Sequence, residues 1–237
     1  MRVRIAVAAT VLAALLLAVA PSSGTAKGSR GAPATVALDW NANAVATVRA
    51  ATVVEPVGTA SRPLYQTEGL LYMSYVQAAV YDAVTKIDNR YAPYHQFVAR
   101  AGHASPEAAV IAAAYNTLVF YLGDPTGTLA ASYAVSIAAL PADRATARGI
   151  AVGRAAAADI EELRATDGRN APSATNFGSG PVQPGLWVWA PLPSLQIAQT
   201  PWMAVMQRFM LETTSQFRAP PPPALTSARY PYYYWGR

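Results

Sequence analysis

The sequence predicts an all-α protein, a helical bundle with long Pro/Gly-rich loops. Of its 237 residues 53% are hydrophobic, ample for a real core, and only 13% are charged. Much of the apolar content is alanine, which favours closely packed helices over sheets rich in Val, Ile and Thr. Several long stretches also space their apolar residues at the helical period rather than in alternation.

The chain opens with a targeting pattern. Arg2 and Arg4 precede an apolar run from Ile5 to Ala20, and Gly24-Thr25-Ala26 offers small residues to a signal peptidase. Pro21 disfavours cleavage after Ala20, so residues 1–26 read as a signal peptide cut after Ala26. The protein is therefore expected to be secreted or extracytoplasmic. The apolar run falls short of the ~20 residues needed to span hydrocarbon, so no stable membrane anchor is expected after cleavage. The net charge of +5 drops by two when Arg2 and Arg4 leave, and the remaining arginines are scattered, so no nucleic-acid partner is expected. The absence of cysteine excludes disulfides, thiolate nucleophiles, zinc-thiolate sites and iron–sulfur clusters.

A helical domain is expected over 38–168. Asp39 can cap a short first helix carrying Trp40, Val45, Val48 and Ala51, which Pro56, Gly58 and Pro63 then interrupt. Thr67 suits the N-cap of a long second helix, with Glu68 at its start and Leu70, Met73, Val76, Val80, Val84 and Ile87 on one face. Tyr72, Tyr75 and Tyr81 on that helix read as core-edge packing rather than a ligand-stacking face. Ser105-Pro106-Glu107 is a legible start for a third helix, running to Tyr121 or Leu122 and stopped by Gly123 and Pro125. A fourth is expected from about Thr126 to Leu140, presenting Leu129, Tyr133, Ile137 and Leu140. A fifth begins near Pro141-Ala142-Asp143 and ends at Thr166-Asp167-Gly168. Short connections imply antiparallel neighbours. Gly149 and Gly153, one turn apart and followed by Ala155 to Ala158, mark a face that a partner helix can approach closely.

Residues 169–201 read as a Pro/Gly/Trp-rich loop pinned by Trp187 and Trp189, and 202–230 as a brief helix from Trp202 to Leu211 followed by a proline-rich hinge. Residues 231–237 form an aberrant Tyr/Trp tail, and no repeat period is visible.

Chemistry is hard to place on this sequence. Asp159, Glu161, Glu162 and Arg164 read as a solvated helix face, because no histidine or second carboxylate cluster lies near in sequence. His95 and His103 sit in loop sequence with no adjacent acid and read as surface or capping residues. HExxH spacing is absent, no GxSxG elbow exists, and GSG at 178–180 reads as a flexible loop. No catalytic, cofactor-binding or metal-ligating residue is therefore assigned.

The order of short motifs goes further than any one of them. Trp40-Asn41, MSYVQAAVYDAV at 73–84, YAPY at 91–94 and SPEAAV at 105–110 come first. GIAVGRAAA at 149–157, RATDG at 164–168, PGLW at 184–187 and QFRAPPPPALTS at 216–227 follow. In this order the chain resembles the N-terminal half of bacterial secreted proteins of the vanadium-dependent haloperoxidase type, relatives of the type 2 phosphatidic acid phosphatase (PAP2) superfamily. The resemblance covers roughly residues 38 to 230.

What the resemblance implies is a scaffold whose chemistry lies further on. There a lysine and an arginine, a SerGlyHis segment, and a later arginine and histidine surround an oxyanion, whose spread charge calls for converging cationic and amide donors. Those motifs are absent here, so no cofactor is expected in this chain and vanadate only in a complete relative. Ala101-Gly102-His103 differs from SerGlyHis by one residue, but no histidine follows it, and neither Lys27 nor Lys86 has the right downstream arginine. The family pattern would continue past PPPALTS into another helix, whereas ARYPYYYWGR reads like a shifted frame or premature stop. The proline run then resembles a rigid polyproline II hinge to a missing half, and this chain is expected to be inactive. A missing C-terminal helical half or a homodimer is the expected partner, with Val80, Val84 and the Gly149 face left uncovered without it. The alternative is a stand-alone secreted helical binding or assembly module.

Overall fold

The computed structural model describes residues 32–54, 61–169, 171, 200–221, 223–224 and 226–228. The expected signal peptide and cleavage site, Trp187, Trp189, the GSG segment and the Tyr/Trp tail lie outside the described residues. Among those residues the protein is mostly helical: α1 (Ala32–Ala50), α2 (Gln66–Asp88), α3 (Pro106–Leu122), α4 (Thr128–Ala138) and α5 (Arg144–Leu163). A two-stranded antiparallel ribbon of β1 (Thr52–Val54) and β2 (Ser61–Pro63), with Val53 opposite Arg62, separates α1 from α2. No described helix is long and apolar enough to cross a membrane.

Helix α1 starts earlier than expected, at Ala32, so Asp39 lies inside it and caps nothing. Its inward face is Trp40 and Ala44, while Val45 is exposed. The Trp40 indole donates to Ser136 Oγ on α4 at 3.2 Å.

Helix α2 begins at Gln66 with Tyr65 as its cap, rather than at Thr67. The reason is Glu68, whose carboxylate accepts from the Tyr65 amide at 2.7 Å and from both Nη atoms of Arg62 at 2.7 and 3.0 Å. An acid three positions inside a helix thus satisfies the exposed amide and favours the dipole. Thr67 Oγ1 instead meets Thr200 Oγ1 at 3.2 Å. The expected apolar stripe is rotated: Leu70 is 60% exposed, and Leu71, Tyr75, Val76, Ala79 and Ala83 are the buried positions. Tyr75 lies in the core, as the packing reading of the tyrosines required, whereas Tyr81 is exposed.

The start of α3 follows its sequence signals closely. Ser105 Oγ accepts from the Ala108 amide at 3.1 Å, Pro106 opens the helix, and Gly123 closes it at φ +72°. Helix α4 is shorter than expected because Asp124 caps it from outside, accepting from Leu129 and Ala130 at 3.2 and 2.8 Å. Asp143 caps α5 by accepting from Thr146 at 2.9 Å. Helix α5 ends at Leu163, so Arg164 to Asp167 form a turn rather than its last coils. The helix expected from Trp202 to Leu211 is a single 3₁₀ turn, Pro201–Val205.

The central contact is between α3 and α5. A Cβ on Gly149 would stand 2.3 Å from the Ser105 carbonyl oxygen and 2.8 Å from the Ala108 methyl. One on Gly153 would meet Ala109 O at 2.3 Å and the Ala112 methyl at 2.8 Å. Backbone lies on backbone along this seam, with no space for a methyl group. Because positions ascend together on both helices, α3 and α5 run the same way, with α4 crossing back between them. The chief neighbour of α3 is thus a parallel helix, whereas short connections suggested antiparallel ones. Helix α2 runs antiparallel to both, with Tyr75 in its first half against Tyr121 near the end of α3 and Asp167 just beyond α5. Two apolar clusters result, one around Tyr75, Ala79, Val152 and Ile160, the other around Trp40, Val76, Ile111 and Leu118. Gly149 is buried in the seam, and Val80 and Val84 pack partly buried against the clusters. The Gly149 face, expected to be left uncovered, is covered by α3, while Val80 and Val84 are covered only in part.

Replacing Gly153 with Ala is expected to push the helices apart and cost about 1–3 kcal/mol in urea unfolding. An unchanged midpoint and slope would show that the seam is looser than described.

Candidate functional site

Two polar constructions are built on the helices, and both begin with a charged residue on an apolar face. Asp82 sits on the buried side of α2, two turns beyond Tyr75. Its carboxylate accepts from the Tyr94 amide at 2.5 Å and the His95 amide at 3.0 Å. Burial raises its pKa, and those two amides oppose the rise. This pair of bonds, with Tyr81 Oη donating to Ala92 O at 2.8 Å, folds the loop after α2 back along the helix.

The fold-back brings His95 against α5. Its Nδ1 lies 2.7 Å from Asp159 Oδ2, a partner 64 residues away that adjacency in sequence could not supply. Glu162 is exposed, but the side chain of Asp159 is 16% exposed and Arg164 is fully buried, so this end of α5 is only in part the solvated face its composition suggested. Glu161 is half-buried, and burial raises its carboxyl pKa. Beside His95 a small cleft of about 70 Å³ opens between Thr85, Lys86 and Asn89 at the end of α2 and Tyr91, Pro93 and Phe97 of the loop. Lys86 Nζ donates to Phe97 O at 2.7 Å.

The second construction closes the C-terminal end of α5, one turn beyond Asp159. Arg164 donates through Nη1 to Gln207 O at 2.9 Å and through Nη2 to Tyr94 Oη, and its guanidinium lies 3.8 Å over the Phe209 ring. Asp167 accepts from the Tyr75 hydroxyl and from the Arg169 amide at 3.1 Å, while its own carbonyl accepts from Gln207 N at 2.6 Å. Burial and the bond to Asp167 push the Tyr75 phenol far above its usual range. Burial pushes Tyr121, stacked on Tyr75, up to about 12. Among the described residues Tyr121 Oη and Arg164 Nε find no hydrogen-bond partner. The network ties α2, α5 and the segment after the 3₁₀ turn into one unit.

His103 adopts φ 56° in an exposed turn with no bonded acid, which removes Ala101-Gly102-His103 as an oxyanion segment. Among the described residues no three His, Cys, Asp or Glu side chains gather as a metal site. Arg164 and Arg169 are turned onto carbonyls, Tyr94 and Asp167. Among the described residues no set of a lysine, arginines and histidines converges as the vanadate chemistry of the resemblance requires, so these residues do not fit that group. Sequence reading gave Asp82 no role, took Arg164 for part of a solvated face and took Asp167 for part of a helix end, whereas all three are buried. The usable signal for Asp82 was its place on the same helical stripe as Tyr75, Ala79 and Ala83, where an acid needs bonded partners.

Tyr75→Phe removes the phenol donor to Oδ2 of the buried Asp167 carboxylate, leaving the Arg169 contacts to Oδ1, and is expected to cost roughly 1–3 kcal/mol of unfolding free energy; an effect near zero would show the bond to be dispensable. For Glu161, a folded pKa raised above the unfolded value contributes stability that is present below the unfolded pKa and lost as pH rises through the folded one. Wild type should therefore lose stability relative to Glu161→Gln as pH rises from 3 to 7, and parallel pH profiles would contradict this. Comparison of the chain with protein-family models, with curated proteins and with solved structures finds no match.

Proposed function

We propose that the chain is the helical N-terminal portion of a secreted protein of the vanadium-dependent haloperoxidase or PAP2 acid-phosphatase-like type. In this reading its residues brace a scaffold, the oxyanion chemistry belongs to a C-terminal helical half, and the chain alone is inactive.

The observation that carries the reading is that the short stretches behind the resemblance contact one another. Tyr75 and Asp82 come from the 73–84 stretch, Tyr94 from 91–94, and Arg164 and Asp167 from 164–168. Tyr75 donates to Asp167, the Tyr94 amide donates to Asp82, and Arg164 donates to the Tyr94 hydroxyl. Ser105 and Ala108 of the 105–110 stretch pack on Gly149 of 149–157. Each stretch alone is packing and turn sequence. Side chains in mutual contact are energetically coupled, so they make sense as a set that travels together in fixed order. The scaffold role supports the reading because the network is buried and most of its polar groups are engaged by protein groups.

A stand-alone secreted helical binding or assembly module is the second reading, and the closure of the core favours it. The Gly149 seam and both clusters are covered within the described helices.

Two measurements test the first reading. The purified 237-residue chain should give no halogenation with vanadate, peroxide and bromide, and turnover would contradict it. The DNA beyond the codon for Ser227, read in three frames, should encode the lysine and arginine, SerGlyHis, and arginine and histidine series. Its absence from all frames would favour the module.

A further inference from the structure

We propose that the cleft between the end of α2 and the following loop binds a small hydrogen-phosphate group, held between the Lys86 ammonium and Nε2 of His95. The inference does not depend on the haloperoxidase reading. It uses one lysine and one histidine from neighbouring segments, not the several cationic groups expected in another half.

Charge in the cleft is one-sided. Its lining is Thr85, Lys86, Asn89, Tyr91, Pro93, His95, Gln96 and Phe97, which includes a cation and several neutral donors but no carboxylate. The nearby acids face elsewhere: Asp82 accepts two backbone amides, Asp159 takes His95 Nδ1, and Asp88 lies 3.8 Å from Arg90.

Both binding groups are held in place. Lys86 Nζ uses one hydrogen on Phe97 O, with the Phe97 ring 5.3 Å away, which leaves two N–H groups for a ligand. The Asp159 carboxylate can only accept, so Nδ1 carries the hydrogen between them and Nε2 is left to face a ligand, as an acceptor in the neutral ring and as a donor in the protonated one. Nε2 has no bonded partner among the described residues. The loop is anchored through the amides of Tyr94 and His95 and the carbonyl of Ala92. An ammonium beside a ring nitrogen that can accept or donate suits a ligand with both O⁻ and O–H on one small centre. A hydrogen-phosphate or phosphomonoester group has both, and a simple carboxylate has only the first. The cleft volume of about 70 Å³ suits one such tetrahedral group.

The chain has two histidines, so imidazole NMR reads the site with an internal control. On titration with sodium phosphate at constant ionic strength, the His95 ring resonances should shift saturably while those of His103 stay in place. Lys86→Gln can still donate to the Phe97 carbonyl but lacks the charge, and should weaken binding roughly tenfold. His103 and amide resonances report whether that variant keeps its fold; if it does not, Gln96→Ala, expected to weaken the phosphate shift of His95 severalfold, takes its place. Glycerol phosphate shifting His95 without inorganic phosphate doing so would identify the ligand as a phosphomonoester. No saturable shift with either, an equal shift with acetate or chloride, or an unweakened shift in the folded variant would overturn the proposal.

Discussion

The absence of side-chain volume at Gly149 and Gly153 is the constraint on which the rest of the structure depends. It lets α5 lie directly on α3, with the carbonyls of Ser105 and Ala109 where a larger residue's Cβ would be. Helix α3 is correspondingly rich in fully buried alanines, from Ala108 to Ala114, because a helix enclosed by neighbours at such short range has room for little else. A rigid helix transmits its seating along its length. From Gly153 to Arg164 the rise is about 16 Å at 1.5 Å per residue, so the register at the seam decides whether Asp159 meets His95 and whether Arg164 reaches Tyr94.

What the seam positions, the buried polar groups then make specific. Arg164 keeps its charge in the interior by donating to backbone carbonyls and a phenol and by lying on an aromatic face, a set of partners that offsets part of its desolvation. Asp167 gathers a phenol, a backbone amide and an arginine. Apolar residues of like volume could fill the same space without fixing which segment docks there. The polar network selects the strand of chain carrying Gln207 and Phe209, and Asp82 does the same for the loop carrying His95. The seam and the network therefore divide the work: one sets distance, the other identity.

Much of this was legible where the signal is local. Ser105-Pro106, Asp143 and Gly123 act as written, because caps and stops involve neighbours within a few residues. The glycine pair was legible as close packing, though not which helix it faces. The errors share a cause. Asp39 resembles a cap, but the apolar pattern continues upstream to Ala32; Leu70 fits a single-stripe template, but α2 is packed on two sides and its inward direction is set by α3 and α5 together. The pairs Tyr75–Asp167 and His95–Asp159 join residues 92 and 64 apart, and nothing near either partner announces the other. The β1–β2 ribbon was missed because three-residue strands carry too little alternation to register.

Native-state amide hydrogen exchange tests the central claim most directly. If the seam organises the fold, the slowest amides should be those of α3 from Ala109 to Ala114 and of α5 from Val152 to Ile160, exchanging together through global unfolding. Amides of α1 and α4 should exchange faster, through partial openings that leave the α3–α5 pair intact. Equal protection across all five helices, or α5 opening before α4, would contradict a structure built outward from that contact.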